Sequence, residues 1–209
     1  MPSLCPFVTP FTCIVSGPTQ CGKTSWVARL LREKDYQFSA VPQNIVWCYG
    51  TWQKAYEGLG SVVNKWVEGL PDLEDFDADV NNLVIIDDLM SETDERVTKL
   101  FTKGSHHKNI SVIYLVQNLF NKGKEHRTIS LNAHYMVLFK NPRDANQVNH
   151  LAKQMYPKNT KFLLEAFKDA TSEPHGYLLI DLKQATEDDL RVRTHIFEGE
   201  IMEVYVPKK

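Results

Sequence analysis

The sequence of 209 residues lacks the features that mark membrane and secreted proteins. It has no run that approaches the roughly 18 consecutive apolar residues of a membrane span, so we expect no membrane partner. The amino-terminal stretch MPSLCPFVTPF does not have a charged start followed by an apolar core. We therefore expect no secretory signal and an intracellular protein.

Cysteine and histidine are too few and too scattered to predict a disulfide framework or a histidine metal site. The four cysteines form no CxxC pair, and we expect reduced, mostly buried thiols. Of the seven histidines, His106 and His107 are adjacent, and adjacent side chains do not converge on one ion.

The chain also lacks a strong charge of either sign. Its formal net charge is −2, so a surface for nucleic acid has to be local. Positive residues do cluster in Arg96 to Lys108 and in Lys122 to Arg127. A solvated face explains each cluster about as well as a loop that binds a phosphate backbone.

What the sequence does contain is a glycine-rich motif between an apolar run and an amphipathic segment. Residues 13–24 read CIVSGPTQCGKT, in which Gly17, Gly22, Lys23 and Thr24 have the spacing of a phosphate-binding loop. Glycines let backbone N–H groups turn inward around a polyphosphate, with Lys23 on the β- and γ-phosphates and Thr24 on Mg²⁺. We therefore predict ATP and Mg²⁺ as cofactors. The predicted nucleotide contacts are Gly17, Pro18, Thr19, Gln20, Cys21, Gly22, Lys23, Thr24 and Ser25.

A second apolar run, Asn82 to Ile86, ends in two carboxylates and resembles a Walker B element. Phosphoryl transfer needs one carboxylate for the Mg²⁺ shell and a second group that orients the attacking water. Asp87 fits the first role and Asp88 the second. Asp88 could instead simply begin the next turn, and Glu92 is then the alternative base.

The rest of the chain alternates apolar runs with polar or helix-period segments, which predicts an α/β fold with a mainly parallel sheet. The composition, with 43% apolar and 24% charged residues, is typical of a globular protein. A length of 209 residues suits one domain, so we expect one domain over 1–209, with 140–209 extending the same sheet. We predict a helix within Thr51 to Asp79. Gln117 follows the apolar run from Ile110 to Val116. It is either a sensor of the γ-phosphate or an ordinary polar residue at the point where the chain leaves the apolar core.

Four segments together resemble one family: GPTQCGKT, LVIIDDLM, LFTKGSHHKNISVIYLVQNLF and RTISLNAHYMVLFKNPRD, which span Phe11 to Asp144. They are similar to the FtsK/HerA-type viral genome-packaging ATPases, which include the poxvirus type, and they most resemble the packaging ATPases of Maverick/Polinton elements and adintovirus-like viruses. The resemblance implies a P-loop NTPase with an additional strand between the Walker A and Walker B strands and with helices on both faces. Many relatives have Asp-Glu where this chain has Asp87-Asp88, which shortens the presumed base.

The resemblance also implies partners. It implies a homo-oligomeric ring, expected to be a hexamer, that moves double-stranded DNA independently of sequence into a capsid or through a portal at the site of virion assembly. DNA contact is expected from Lys103 to Lys108 and Lys122 to Lys124. A cation from the neighbouring subunit should complete each site, with Arg127 and Arg143 as candidates. A helicase acting on single strands and an ATP-dependent assembly switch are the alternatives.

Overall fold

The computed structural model describes residues 4–87, 89, 95–104, 108–120, 124–144 and 146–208, and its strands form one nine-stranded sheet. The order across the sheet is β3-β2-β4-β5-β1-β6-β7-β8-β9. The strands are β1 Thr12–Ser16, β2 Asn44–Tyr49, β3 Lys65–Glu68, β4 Asn82–Asp87, β5 Ile110–Val116, β6 Tyr135–Phe139, β7 Tyr177–Asp181, β8 Val192–Thr194 and β9 Glu203–Tyr205.

The first six strands are parallel, and β5 lies between β1 and β4. The Walker A strand is β1, which leads into the phosphate loop, and the Walker B strand is β4, which ends in Asp87. The position of β5 between them confirms the predicted additional strand. In the register, Ser16 is opposite Val116 and Asp87 is opposite Leu115. The carboxyl ends of β1, β4 and β5 therefore lie side by side, at the edge where open parallel sheets bind ligands.

Helices cover both faces of the sheet, as predicted. The helices are α1 Lys23–Arg32, α2 Lys34–Gln37, α3 Glu95–Lys99, α4 Lys124–Leu131, α5 Asn146–Met155 and α6 Thr160–Ala170. Leu30 of α1 belongs to the apolar core on one face. Val97, Ile129, Leu151 and Leu163, from α3 to α6, belong to the core on the other. In the part of the chain that the structure describes, no helix has the length and apolarity needed to cross a membrane.

The last three strands join the same sheet in the antiparallel sense. β7 pairs with β6, β8 with β7 and β9 with β8. Strands β7 to β9 therefore extend the sheet beyond β6, and α5 and α6 lie between β6 and β7 in the chain. The assignment of the chain to one domain stays a prediction.

The predicted helix within Thr51 to Asp79 is wrong. The segment forms a short 3₁₀ helix, Lys54–Leu59, and then strand β3 at the edge of the sheet. Trp66 of β3 is paired in register with Trp47 of β2, and the two ring centroids are 5.7 Å apart. Cross-strand aromatic pairing thus outweighs the helical spacing of apolar residues.

Candidate nucleotide site

The phosphate loop, Gly17 to Thr24, connects β1 to α1 at the carboxyl edge of the sheet. Gly22 has a φ of 111°, in the left-handed region that favours glycine. A Cβ on Gly17 would lie 2.6 Å from the Sγ of Cys21 and 2.7 Å from the Cβ of Phe139. The two glycines of the motif thus serve different needs, since Gly22 permits the turn and Gly17 permits the close approach of β6.

The start of α1 suits an anion. No side chain caps this helix, and its first turn carries no acidic residue. The Nζ of Lys23 donates to the carbonyl oxygens of Gly17, at 2.6 Å, and Pro18, at 3.0 Å, which places its charge against the loop. Helix dipole, N–H groups and ammonium act together to favour phosphate. Burial raises the pKa of the Cys21 thiol, although the charge of Lys23 acts in the opposite direction, and this keeps the thiol neutral.

The loop meets the Walker B strand through one carboxylate. Asp87 is only 5% exposed, and the Oγ1 of Thr24 donates to its Oδ2 at 3.3 Å. The hydroxyl of Tyr56 donates to the same oxygen at 2.9 Å. Hydroxyl and carboxylate oxygens are hard donors of the kind that Mg²⁺ prefers, so the residues present fit this ion.

The part of the chain that the structure describes adds no further cluster of metal ligands to Thr24 and Asp87. Across the described ranges, no three or more histidine, cysteine, aspartate or glutamate residues group as a metal site. Mg²⁺ in nucleotide sites typically uses one or two protein oxygens together with phosphate and water. Thr24 and Asp87 can supply the protein's share.

Both candidate bases, Asp88 and Glu92, lie outside the described residues. Their roles therefore stay predictions from the sequence. Asp87, the last residue of β4, lies at the edge of the sheet that also carries the phosphate loop.

Gln117 is exposed at the carboxyl end of β5, immediately beside the phosphate loop. The backbone N–H of Gly17 donates to the carbonyl oxygen of Val116 at 3.1 Å. This bond fixes the end of β5 against the start of the loop. The position suits a sensor of bound phosphate.

The two candidate arginines are both exposed but differ in their surroundings. Arg127 lies on α4, and Arg143 lies in the turn after β6. The backbone N–H of Arg143 donates to Asn141 at 3.1 Å. Buried Gln147 donates to Asp144 at 2.8 Å, next to Arg143, and anchors this turn to α5. Arg143 thus projects from a held turn, which suits a reach to another molecule.

Lys108 and Lys124, one from each predicted DNA segment, lie at opposite ends of β5. Lys108 precedes the amino end of the strand, whereas Lys124 begins α4 beyond its carboxyl end. The strand has seven residues, so these ends are about 20 Å apart. His106, His107 and Lys122 fall outside the described residues. Lys108 is therefore on the edge of the sheet opposite to the nucleotide site.

A cavity of about 670 Å³ extends from the phosphate loop along α1. Its wall includes Gln53, Ala55 and two groups of residues that the sequence analysis did not single out: Glu173 to Tyr177, and His195 with Phe197 and Glu200. Residues of the phosphate loop, among them Lys23 and Thr24, line the same cavity, so it adjoins the predicted phosphate contacts. The segments that carry the two groups contain no sequence motif, because their position beside the loop depends on the order of the strands in the sheet.

The carboxyl-terminal segments are held firmly against the loop and α1. The Nδ1 of His175 lies 3.0 Å from the carbonyl oxygen of Cys21. The guanidinium of Arg29 lies 4.3 Å from the ring centroid of Phe197 and pairs with Glu200. These contacts hold the cavity wall against the phosphate loop and α1.

Comparison with known proteins agrees with this architecture. The chain is similar to the genome packaging NTPase B204 of Sulfolobus turreted icosahedral virus 2 in complex with sulfate, with a TM-score of 0.55 and 11% identity over 96% of this chain and 98% of that one. The same NTPase in complex with ATP-gammaS gives a TM-score of 0.52 and 10% identity over 94% and 97%. The fold is that of the P-loop NTPases.

A second structure shares the fold in a longer chain. The cytoplasmic domain of the Type VII secretion ATPase EccC from Thermomonospora curvata matches with a TM-score of 0.52 and 11% identity. The match covers 93% of this chain but 25% of that one. No protein-family model and no curated protein sequence matches the chain.

Proposed function

We propose that the protein is an ATPase that drives double-stranded DNA into a viral or virus-like capsid. The observation that carries the ATPase part is the contact of Thr24 with Asp87, because it joins the start of α1, at the end of the phosphate loop, to the Walker B carboxylate at the end of β4. The fold shared with a viral genome packaging NTPase supports the packaging part.

Each residue of the site has a defined task in this proposal. Lys23 leaves the carbonyl oxygens of the loop and neutralises the β- and γ-phosphates. Thr24 and Asp87 hold Mg²⁺, which supplies charge neutralisation of the phosphates when bound. Asp88 orients the attacking water, and Gln117 contacts the γ-phosphate from the end of β5.

The DNA partner, the hexameric ring and the capsid or portal partner belong to the same proposal. A translocase reads the DNA backbone and not the bases, so a few local lysines suffice despite the net charge of −2. From this function we infer that the protein acts at the site of virion assembly in the host cell.

The deciding experiment measures the rate of ATP hydrolysis with and without blunt duplex DNA. We expect turnover that depends on Mg²⁺ and rises several-fold with duplex DNA of any sequence. A rise with single strands alone, coupled to strand separation, would indicate a helicase. Very slow hydrolysis that DNA does not change would indicate an assembly switch and would overturn the translocase.

Charge reversal should separate the two candidate DNA segments. We expect the double change of Lys103 and Lys108 to glutamate to weaken duplex binding equally for unrelated sequences and to make the salt dependence less steep, because fewer counterions are released. The same change at Lys122 and Lys124 tests the second predicted DNA segment. Fluorescence anisotropy over a salt series measures both, with Lys153→Glu on the exposed face of α5 as the control.

Salt-insensitive binding by the parent protein, or a strong preference for one sequence, would contradict backbone contact by these lysines. If only one pair of changes weakens binding, the segment that contains that pair makes the DNA contact.

A further inference from the structure

A buried tyrosine that no motif includes makes direct contact with the Walker B carboxylate. Tyr56 lies in the 3₁₀ helix Lys54–Leu59, is 1% exposed, and donates its hydroxyl hydrogen to the Oδ2 of Asp87 at 2.9 Å. This bond is shorter than the 3.3 Å contact of Thr24 with the same oxygen. The two hydroxyls therefore hold one oxygen of Asp87 from two different elements.

The ring of Tyr56 is fixed by other aromatic side chains. Its centroid lies 5.2 Å from that of Trp47, 5.4 Å from that of Trp66 and 5.5 Å from that of Trp52. Such packing leaves the ring little freedom and gives the hydroxyl one direction. The ring packing alone would be served equally well by phenylalanine, so it does not account for the hydroxyl.

Residues close to Tyr56 in the chain line the cavity beside the phosphate loop. Gln53 and Ala55 line the 670 Å³ cavity, while Tyr56 turns inward to Asp87. The same short segment thus contributes to the wall of the cavity and to the support of the carboxylate. Asp87 is buried, and a buried carboxylate keeps one orientation only where hydrogen-bond donors hold it.

We propose that Tyr56 is a positioning residue that orients Asp87 for the metal ion of a Mg²⁺–nucleotide complex. The inference rests on the proposed nucleotide site and adds a residue that the phosphate loop and the Walker B strand do not contain. Groups that hydrogen-bond to a metal-binding carboxylate fix its direction, and their loss typically weakens metal binding by about 10- to 100-fold. Tyr56 therefore affects metal binding through Asp87 and has no direct role at the phosphates.

The proposal predicts a split between metal-dependent and metal-independent binding in Tyr56→Phe. We expect the affinity for ATP in EDTA to stay within about twofold of the parent, because the phosphate loop is intact. The affinity of Mn²⁺ for the complex with AMPPCP, followed by electron paramagnetic resonance, should fall about 10-fold. The Mg²⁺ concentration that gives half-maximal hydrolysis should rise by a similar factor.

Tyr49→Phe is the matched control, because it removes a hydroxyl from the same aromatic cluster. The ring centroid of Tyr49 lies 6.1 Å from that of Tyr56. We expect parent values for Mn²⁺ affinity in this control. Circular dichroism melting of both variants monitors the fold, and a general loosening of the cluster would change ATP binding in EDTA as well.

A double-mutant cycle shows whether Tyr56 acts through Asp87. In an Asp87→Asn background, the further change Tyr56→Phe should have little additional effect on Mn²⁺ affinity. An additional loss equal to that in the parent background would contradict the proposal, as would parent Mn²⁺ affinity in Tyr56→Phe alone. Parent Mn²⁺ affinity in Tyr56→Phe would contradict the role of Tyr56 but not the proposed nucleotide site. If the parent protein binds no Mn²⁺–nucleotide complex, the proposed function fails together with this inference.

Discussion

Replacement of Lys23 by alanine is expected to weaken ATP binding by about 100-fold or more, because a charge-assisted hydrogen bond is worth about 1.5–3 kcal/mol and Lys23 can donate more than one to the phosphates. Hydrolysis should fall below detection at cellular ATP concentrations. Isothermal titration calorimetry with AMPPCP measures the affinity. The stabilisation of the fold by nucleotide should also disappear from thermal melting curves.

The control for Lys23→Ala is Lys153→Ala, which removes a lysine from the exposed face of α5. Lys23 also donates to two loop carbonyl oxygens, so its loss could disturb the loop itself. Melting without nucleotide reports this separately. Near-parent affinity in Lys23→Ala would show that phosphate binds elsewhere and would overturn the assignment of the loop.

Asp88→Asn is expected to show the opposite behaviour at the same site. Mg²⁺–ATP binding should stay close to that of the parent, while single-turnover hydrolysis falls by about 10²- to 10⁴-fold, the typical contribution of a general base. Rapid-quench measurement of one turnover separates these two effects. Near-normal turnover would move the role of base to another residue, and Glu92→Gln is then the first variant to measure.

Another large effect is expected from completion of the site by a neighbouring subunit. We expect Arg143→Ala or Arg127→Ala to reduce turnover by about 10³-fold or more, the usual worth of an arginine supplied in trans. Arg143 is favoured, because its turn is anchored by Gln147 while its side chain is exposed. Specific activity of the parent should rise with protein concentration, since association and catalysis are then one event.

Mixing experiments show whether the arginine acts between subunits. A Lys23→Ala subunit has intact arginines, and an Arg143→Ala subunit has an intact phosphate loop. Each should be nearly inactive alone, whereas the mixture should recover part of the activity at the mixed interfaces. The same mixture with Arg127→Ala provides the comparison, because only one of the two arginines is needed.

The model fails for these residues if both arginine variants hydrolyse ATP at the parent rate. It also fails if specific activity stays flat across a wide dilution series in the presence of DNA. Either result would indicate a self-contained site or another cation, with Lys103 as the next candidate.

The sequence by itself determined the local elements of the site. The spacing of Gly17, Gly22, Lys23 and Thr24 predicts the loop, because the φ of 111° at Gly22 and the close approach at Gly17 are requirements on single residues. The continuous apolar run before Asp87 predicts a strand buried on both faces, and all six residues of β4 are buried. The position of β5 between β1 and β4 was predicted from the family resemblance.

Tertiary structure decided what depends on contacts between distant parts of the chain. The segment after β2 has helical spacing, but pairing of Trp66 with Trp47 makes its second half a strand. The contact of Tyr56 with Asp87 joins residues 31 positions apart, and that of His175 with Cys21 joins residues 154 apart. No local pattern encodes such pairs, because the order of strands in the sheet determines which chain segments meet at its carboxyl edge.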